Sequence, residues 1–218
     1  MGMIISPYAY GSGSKTISNV GPISSNSNTA SYTFTDAAIG TAAASRYVHL
    51  VICAGAGSTT TLASASIQGI SATINTDASD DEIQISIVSA PVPTGTTGTI
   101  LLAFNNTKNR CHVGVFRSTG LSSSTAYDVD FRNAGDLDKQ TATGQVSTLN
   151  GGFAIGGVAS DLNSSSVIWT GLSELYDTTV ESTNTYSGAA STTIGSDLDI
   201  TGTFANTANR MTFAFASF

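Results

Sequence analysis

Charge is scarce in this sequence: only 11% of its 218 residues are Asp, Glu, Lys or Arg, and just eight are basic. With a formal net charge of −7 and no cluster or stripe of Lys and Arg, the chain lacks what a phosphate backbone selects, since nucleic-acid binding is driven by grouped basic side chains that release counterions. A membrane surface is disfavoured on the same ground. No apolar run approaches the roughly 20 residues that a spanning helix needs. The N-terminus, MGMIISPYAYGSGSK, has no basic residue before Lys15 and breaks its apolar run at Pro7. It does not read as a secretory signal, and synthesis in a cytosol is expected.

Residues suited to catalysis are equally few. A nucleophile triad needs a histidine oriented by a carboxylate, and the chain has only His49 and His112, both in strand-like runs and without a G-x-S-x-G elbow. Cys111 adjoins His112, but strand alternation sends neighbours to opposite faces. Cys53 and Cys111 sit in apolar runs and are expected to be buried, free and hydrophobe-like. Two His and two Cys are too few for a convincing metal site. DASDDE, 77–82, and the set Asp128, Asp130, Asp136 and Asp138 gather carboxylates without the spacing of a calcium loop. They read as solvated acidic turns, which also discourage strand pairing at edges. The glycine-rich pieces GSGS, AGAG and NGGFAIGG lack a phosphate-loop pattern. No enzyme activity, metal or cofactor is expected.

What the sequence does contain is β-forming. Hydrophobic residues make up 40%, and the polar remainder is mainly Ser, Thr, Asn and Gly, which suit pleated surfaces and tight turns. Residues 1–30 read as an arm or peripheral strand. From Tyr32 onward, short apolar runs recur between turn clusters, as in a sandwich or barrel. In RYVHLVICAG, 46–55, Tyr47, His49, Val51 and Cys53 alternate with Val48, Leu50 and Ile52; both sets are largely apolar, which predicts a central strand covered on both sides. In EIQISIVSA, 82–90, isoleucines alternate with Gln84 and Ser86, which predicts one wet face.

One passage is written twice. FNNTKNRCHVGVF, 104–116, returns as FANTANRMTFAF, 204–215. Asn tolerates left-handed backbone and closes Asx-turns, so Asn106, Asn109, Asn206 and Asn209 predict a hairpin loop, with Arg110 and Arg210 opening the returning strand and bonding loop carbonyls or a carboxylate. The echo extends upstream at an offset of about 100: HLVICAGAG, 49–57, with GFAIGGVAS, 152–160, and SIQGIS, 66–71, with VIWTGLS, 167–173. Two related halves, about 31–118 and 139–218, follow. The fold predicted is an all-β, jelly-roll-like antiparallel sandwich in which the halves pair, with two tandem small sandwiches as the alternative. Trp169, with Tyr176 and Tyr186 nearby, is either core or a candidate glycan contact, Trp169 and Tyr176 being the ring faces proposed.

The series TFTDAAIGTA, RYVHLVICAG, SIQGISATI, APVPTGTTGTI, NRCHVGVFRSTGLSSSTAYD and WTGLSELYD resembles a family of Ser/Thr/Gly-rich β-proteins encoded among the structural genes of tailed bacteriophages. The resemblance spans residues 33–177 and carries no catalytic residues. It implies a virion component made in the host cytoplasm: a head decoration or fibre protein bound to the major capsid protein, or a tail component. A homotrimer would match a shell's local three-fold axes. The alternative is a module that binds a carbohydrate or host-surface receptor.

Overall fold

The computed structural model describes residues 15–55, 60–80, 82–132, 140–162, 166–180, 184–192 and 195–218. Among them there is no helix. The first half contributes β1 (Thr16–Ser25), β2 (Thr29–Ala38), β3 (Arg46–Gly55), β4 (Leu62–Ile67), β5 (Ile70–Ser71), β6 (Thr73–Asp80), β7 (Ile83–Pro91), β8 (Thr97–Lys108) and β9 (Arg110–Thr119). The second contributes β10 (Asp128–Arg132), β11 (Thr141–Ser147), β12 (Phe153–Ser160), β13 (Val167–Thr170), β14 (Ser173–Val180), β15 (Asn184–Thr192), β16 (Asp197–Phe204) and β17 (Met211–Ser217).

These strands form four antiparallel sheets. Sheet A is ordered β1-β9-β3-β7-β6 and sheet B β2-β8-β4-β5; sheet C is β10-β17-β12-β15-β14 and sheet D β11-β16-β13. Replacing each strand of sheet A by its counterpart in the second half gives sheet C, and the same substitution turns β2-β8-β4 into sheet D. The sequence echoes fall on equivalent strands, β3 with β12 and β8–β9 with β16–β17. Gly69 and Gly171, matched in the echo, both adopt positive φ, 76° and 84°, a conformation that glycine enters without steric cost.

No sheet draws strands from both halves. The halves meet face to face instead of pairing, and the layers run B, A, C, D. Three apolar cores separate them: Leu50, Ile52, Ile100 and Val113 between A and B; Val51, Ile85, Phe116, Ile155 and Tyr186 between A and C; Val158, Ile200, Phe204 and Phe213 between C and D. Each such side chain contributes roughly 1.5–3 kcal/mol on burial. Contacts across the A–C seam are reciprocal: β3 lies against β15 and β12 against β7, β1 against β14 and β10 against β6.

β3 has both faces covered, as its two apolar sets predict: Val48, Leu50 and Ile52 enter the A–B core, and Val51 and Cys53 the seam. The wet face expected for β7 is absent. Gln84, Ser86 and Ser89 are fully buried, because sheet A is an inner layer. Asp77 on β6 binds two of them, its Oδ1 accepting from Gln84 Nε2 and Ser86 Oγ at 2.6 Å each.

The repeated passage is not a hairpin. β8 pairs with β2 and β4 in sheet B, while β9 pairs with β1 and β3 in sheet A, so the chain turns a corner between layers at Asn109. Asn106 lies inside β8, its N–H donating to Thr60 Oγ1 at 3.1 Å. The second corner, 205–210, is a run of bends that carries Asn206 and Asn209 from sheet D to sheet C. An apolar run followed by Asn fits both a hairpin and a corner, and partner strands decide between them.

Candidate interaction surfaces

The side chains with reactive potential lie between layers. His49 is fully buried, its Nδ1 and Nε2 each 2.7 Å from a serine hydroxyl, Ser89 and Ser118, on the flanking strands β7 and β9. The rings of Phe153 and Phe218 close over it from sheet C. Burial pulls its pKa from 6.5 down to about 3, so it is a neutral, hydrogen-bonded core histidine. Cys53 and Cys111 are free and buried, one in the seam and the other in the A–B core. Opposite faces of one sheet put them out of reach of a disulfide.

Strand register adds a pair that sequence reading missed. Cys53 on β3 sits directly opposite His112 on β9, so both project into the seam, where antiparallel partners have Cβ atoms about 5 Å apart. Tyr176 and Tyr186 of sheet C face His112 with ring centroids at 5.1 and 5.8 Å. Among the described residues, neither ring nitrogen of His112 nor either tyrosine hydroxyl has a hydrogen-bond partner. Burial lowers the His112 pKa to about 4 and raises the Cys53 thiol and both phenols well above their usual ranges. All four groups are held neutral. Only the pairing of strands 59 positions apart brings Cys53 and His112 together, and no local pattern encodes that register.

The acidic clusters serve as struts. Asp128 and Asp130 of β10 accept from the backbone N–H groups of Ser147 and Gln145 on β11, at 2.7 and 2.8 Å, which ties sheet C to sheet D. Asp77 also accepts from the N–H of Leu62 at 3.0 Å. Asp136 and Asp138 lie outside the described residues. Among those described, no group of three or more His, Cys, Asp or Glu side chains is placed to hold a metal ion.

Both candidate glycan contacts point inward. Trp169 packs edge-on against Phe215 at 6.2 Å and donates its indole N–H to Ser187 Oγ at 2.8 Å. Tyr176 is 8% exposed. These rings build cores because β13 and β14 turn those positions toward neighbouring layers.

The repeated arginines reach across the seam in reciprocal fashion. Arg110 donates from Nη1 to Asn184 Oδ1 at the start of β15. Arg210 forms an ion pair at 3.4 Å with Glu82, just before β7, the equivalent place in the other half. Asp161 Oδ1 accepts from the N–H groups of Asn209 and Arg210 at 2.9 and 3.1 Å.

The outer faces carry the exposed chemistry. On sheet B, register aligns Thr33, Leu101 and Ser66 in one rank and Ser31, Ala103 and Ser64 in the next, framing a concavity of about 360 Å³ with Leu101 45% exposed. On sheet D, Thr143, Thr201 and Thr170 form one rank and Thr141, Thr203 and Ile168 another, with Ile168 71% exposed. Beyond them, Gln145 donates to Asp199 and Ser147 to Asp197, at 2.6 and 2.7 Å. A cleft of about 170 Å³ at one end places the exposed ring of Tyr127 beside Lys15, Ser122, Ser123 and Thr125. No family model matches the chain, and no curated protein matches it.

Proposed function

We propose that the chain is a non-enzymatic structural protein of a tailed-bacteriophage particle: an exterior head decoration or fibre subunit bound to the major capsid protein, or a tail component, working as a closed trimer. The observation that carries this reading is where the chemistry lies. Both histidines and both cysteines are enclosed between layers, while the two outermost sheets present ranks of hydroxyls and, on sheet D, carboxylates. An acidic exterior suits a surface turned away from packaged DNA. We read each half as a jelly roll, since β1-β9-β3-β7 over β2-β8-β4-β5 is two interleaved four-strand sets, and this architecture recurs in viral capsid and lectin domains. Purified protein is expected to co-sediment with empty capsids, and an antibody against it to label intact particles. Its absence from purified particles would reject the assignment.

The Tyr127 cleft favours a second reading, a carbohydrate or host-receptor contact. An exposed aromatic ring beside hydroxyls and an ammonium offers a stacking face and hydrogen-bond groups together. On a glycan array, Tyr127→Ala is expected to abolish any binding that Trp169→Phe retains; loss in the second variant alone would return the contact to Trp169.

A further inference from the structure

His112 differs from His49 in having no hydrogen bond to hold it. Its neighbours within sheet A are Ser24 of β1 and Cys53 of β3, and two residues along β9 lies Arg110, whose guanidinium turns to Asn184. From sheet C it meets Tyr176 of β14 and Tyr186 of β15. Among the described residues, the titratable and charged groups around it are thus one thiol, two phenols and one guanidinium. None is an anion that would stabilise an imidazolium. A proton taken up there has a cation nearby and no acceptor already in hydrogen-bonding position, whereas in an opened seam water would solvate it.

The seam is also the layer boundary that the chain itself bridges least: β9 to β10 is the one connection between sheets A and C, whereas the chain passes repeatedly between the two sheets of each half. No strand pairing crosses it, and one edge is already grooved: about 240 Å³ lies between Ile17, Ser18 and Asn19 of β1 and Ser173, Leu175 and Thr192 of β14 and β15. The groove's β1 residues pair with Phe116, Arg117 and Ser118 of β9, four to six positions along that strand from His112. We propose that protonation of His112 opens the seam between sheets A and C from its β1–β14 edge, while the cores inside each sandwich stay closed. The closed seam holds the imidazole pKa near 4 against an ordinary 6.5. Opening therefore gains up to about tenfold per pH unit as pH falls from 6.5 to 4, and levels off below.

The two cysteines make this directly testable, because Cys53 faces the seam and Cys111 the A–B core. The probe is 4,4′-dithiodipyridine, which reacts with thiols in acid, with Cys53→Ala and Cys111→Ala variants assigning the label and a peptide thiol at each pH setting the scale. Between pH 6.5 and 4, normalised labelling of Cys53 is expected to rise about tenfold per unit while Cys111 stays protected and the emission of Trp169, which lies in the C–D core, stays constant. In His112→Phe the rise should drop to the part that His49, covered from the same seam by Phe153 and Phe218, contributes, and it should vanish when His49→Gln is added; His112→Gln provides the same comparison if the phenylalanine variant fails to fold. Simultaneous exposure of both cysteines, protection of both down to pH 3.5, or an unchanged pH dependence without His112 would each overturn the proposal.

Discussion

Three arginines illustrate how burial sets what one side chain contributes. Arg46 is 1% exposed; its guanidinium donates to the carbonyl oxygens of Gly40, Val92, Thr94 and Gly95, gathering two loops at the head of β3. Lysine cannot reproduce a planar fork with five donors. Arg110 is nearly as buried and reaches Asn184, whereas its repeat Arg210 has a side chain 36% exposed and pairs with a Glu82 that is 45% exposed. Partly solvated ion pairs contribute at most about 1 kcal/mol, while leaving several buried carbonyls without donors costs about 1–3 kcal/mol for each. Urea denaturation is expected to show Arg46→Lys and Arg110→Ala losing about 2–4 kcal/mol and Arg210→Ala under about 1 kcal/mol. Equal losses for Arg110 and Arg210 would mean that the two copies are energetically equivalent despite their different burial.

Elements meet across the seam by fitting tyrosines and aliphatics onto glycines. A Cβ on Gly114 of β9 would lie 2.3 Å from the hydroxyl of Tyr176, and one on Gly157 of β12 would lie 2.5 Å from Val51 and 2.8 Å from Ile85. Each sheet thus leaves a gap that the other fills, and overpacking such a gap costs typically 1–3 kcal/mol. Gly114→Ala is expected to lose about 2 kcal/mol. Tyr176→Phe, which removes a buried hydroxyl without a partner, should be neutral or stabilising by about 1 kcal/mol, and in combination should recover part of the Gly114→Ala loss. A destabilised Tyr176→Phe would show that the hydroxyl is satisfied after all. The period-two patterns made the strands legible: RYVHLVICAG is β3 residue for residue, and its two apolar faces announced an inner layer. The offset of about 100 residues made the equivalent strands legible too. Sheet membership was not, because β8 and β9 read alike whether they pair with each other or turn a corner, and β7's Gln84 and Ser86 look solvent-facing until Asp77 is seen beside them. The Cys53–His112–tyrosine cluster depends on register and layer stacking together, which no single run of residues carries.

For the whole molecule, duplication concentrates sensitivity in the boundary between the copies. Two sandwiches with matching strand orders bury a shared face, and that face holds both of the chain's histidines in neutral form, with pKa values pulled from 6.5 to about 3 for His49 and about 4 for His112. An unfolded chain takes up both protons below about pH 6.5 and the folded one does not, so the unfolded state binds more protons and stability must fall with pH. The loss begins near 6.5, grows by about 1.4 kcal/mol per pH unit for each histidine, and levels off near pH 4 for His112 and pH 3 for His49. At pH 4.5 the two together remove up to roughly 5 kcal/mol, a large share of the 5–15 kcal/mol that a folded domain has in total. Urea midpoints measured from pH 7.5 to 4 should therefore be flat above about 7 and decline below 6.5. His112→Phe and His49→Gln should each remove about half of the slope, and their combination nearly all of it. A decline that persists undiminished in the double variant would show that neither histidine is its source and would remove the seam as the acid-sensitive part of the molecule.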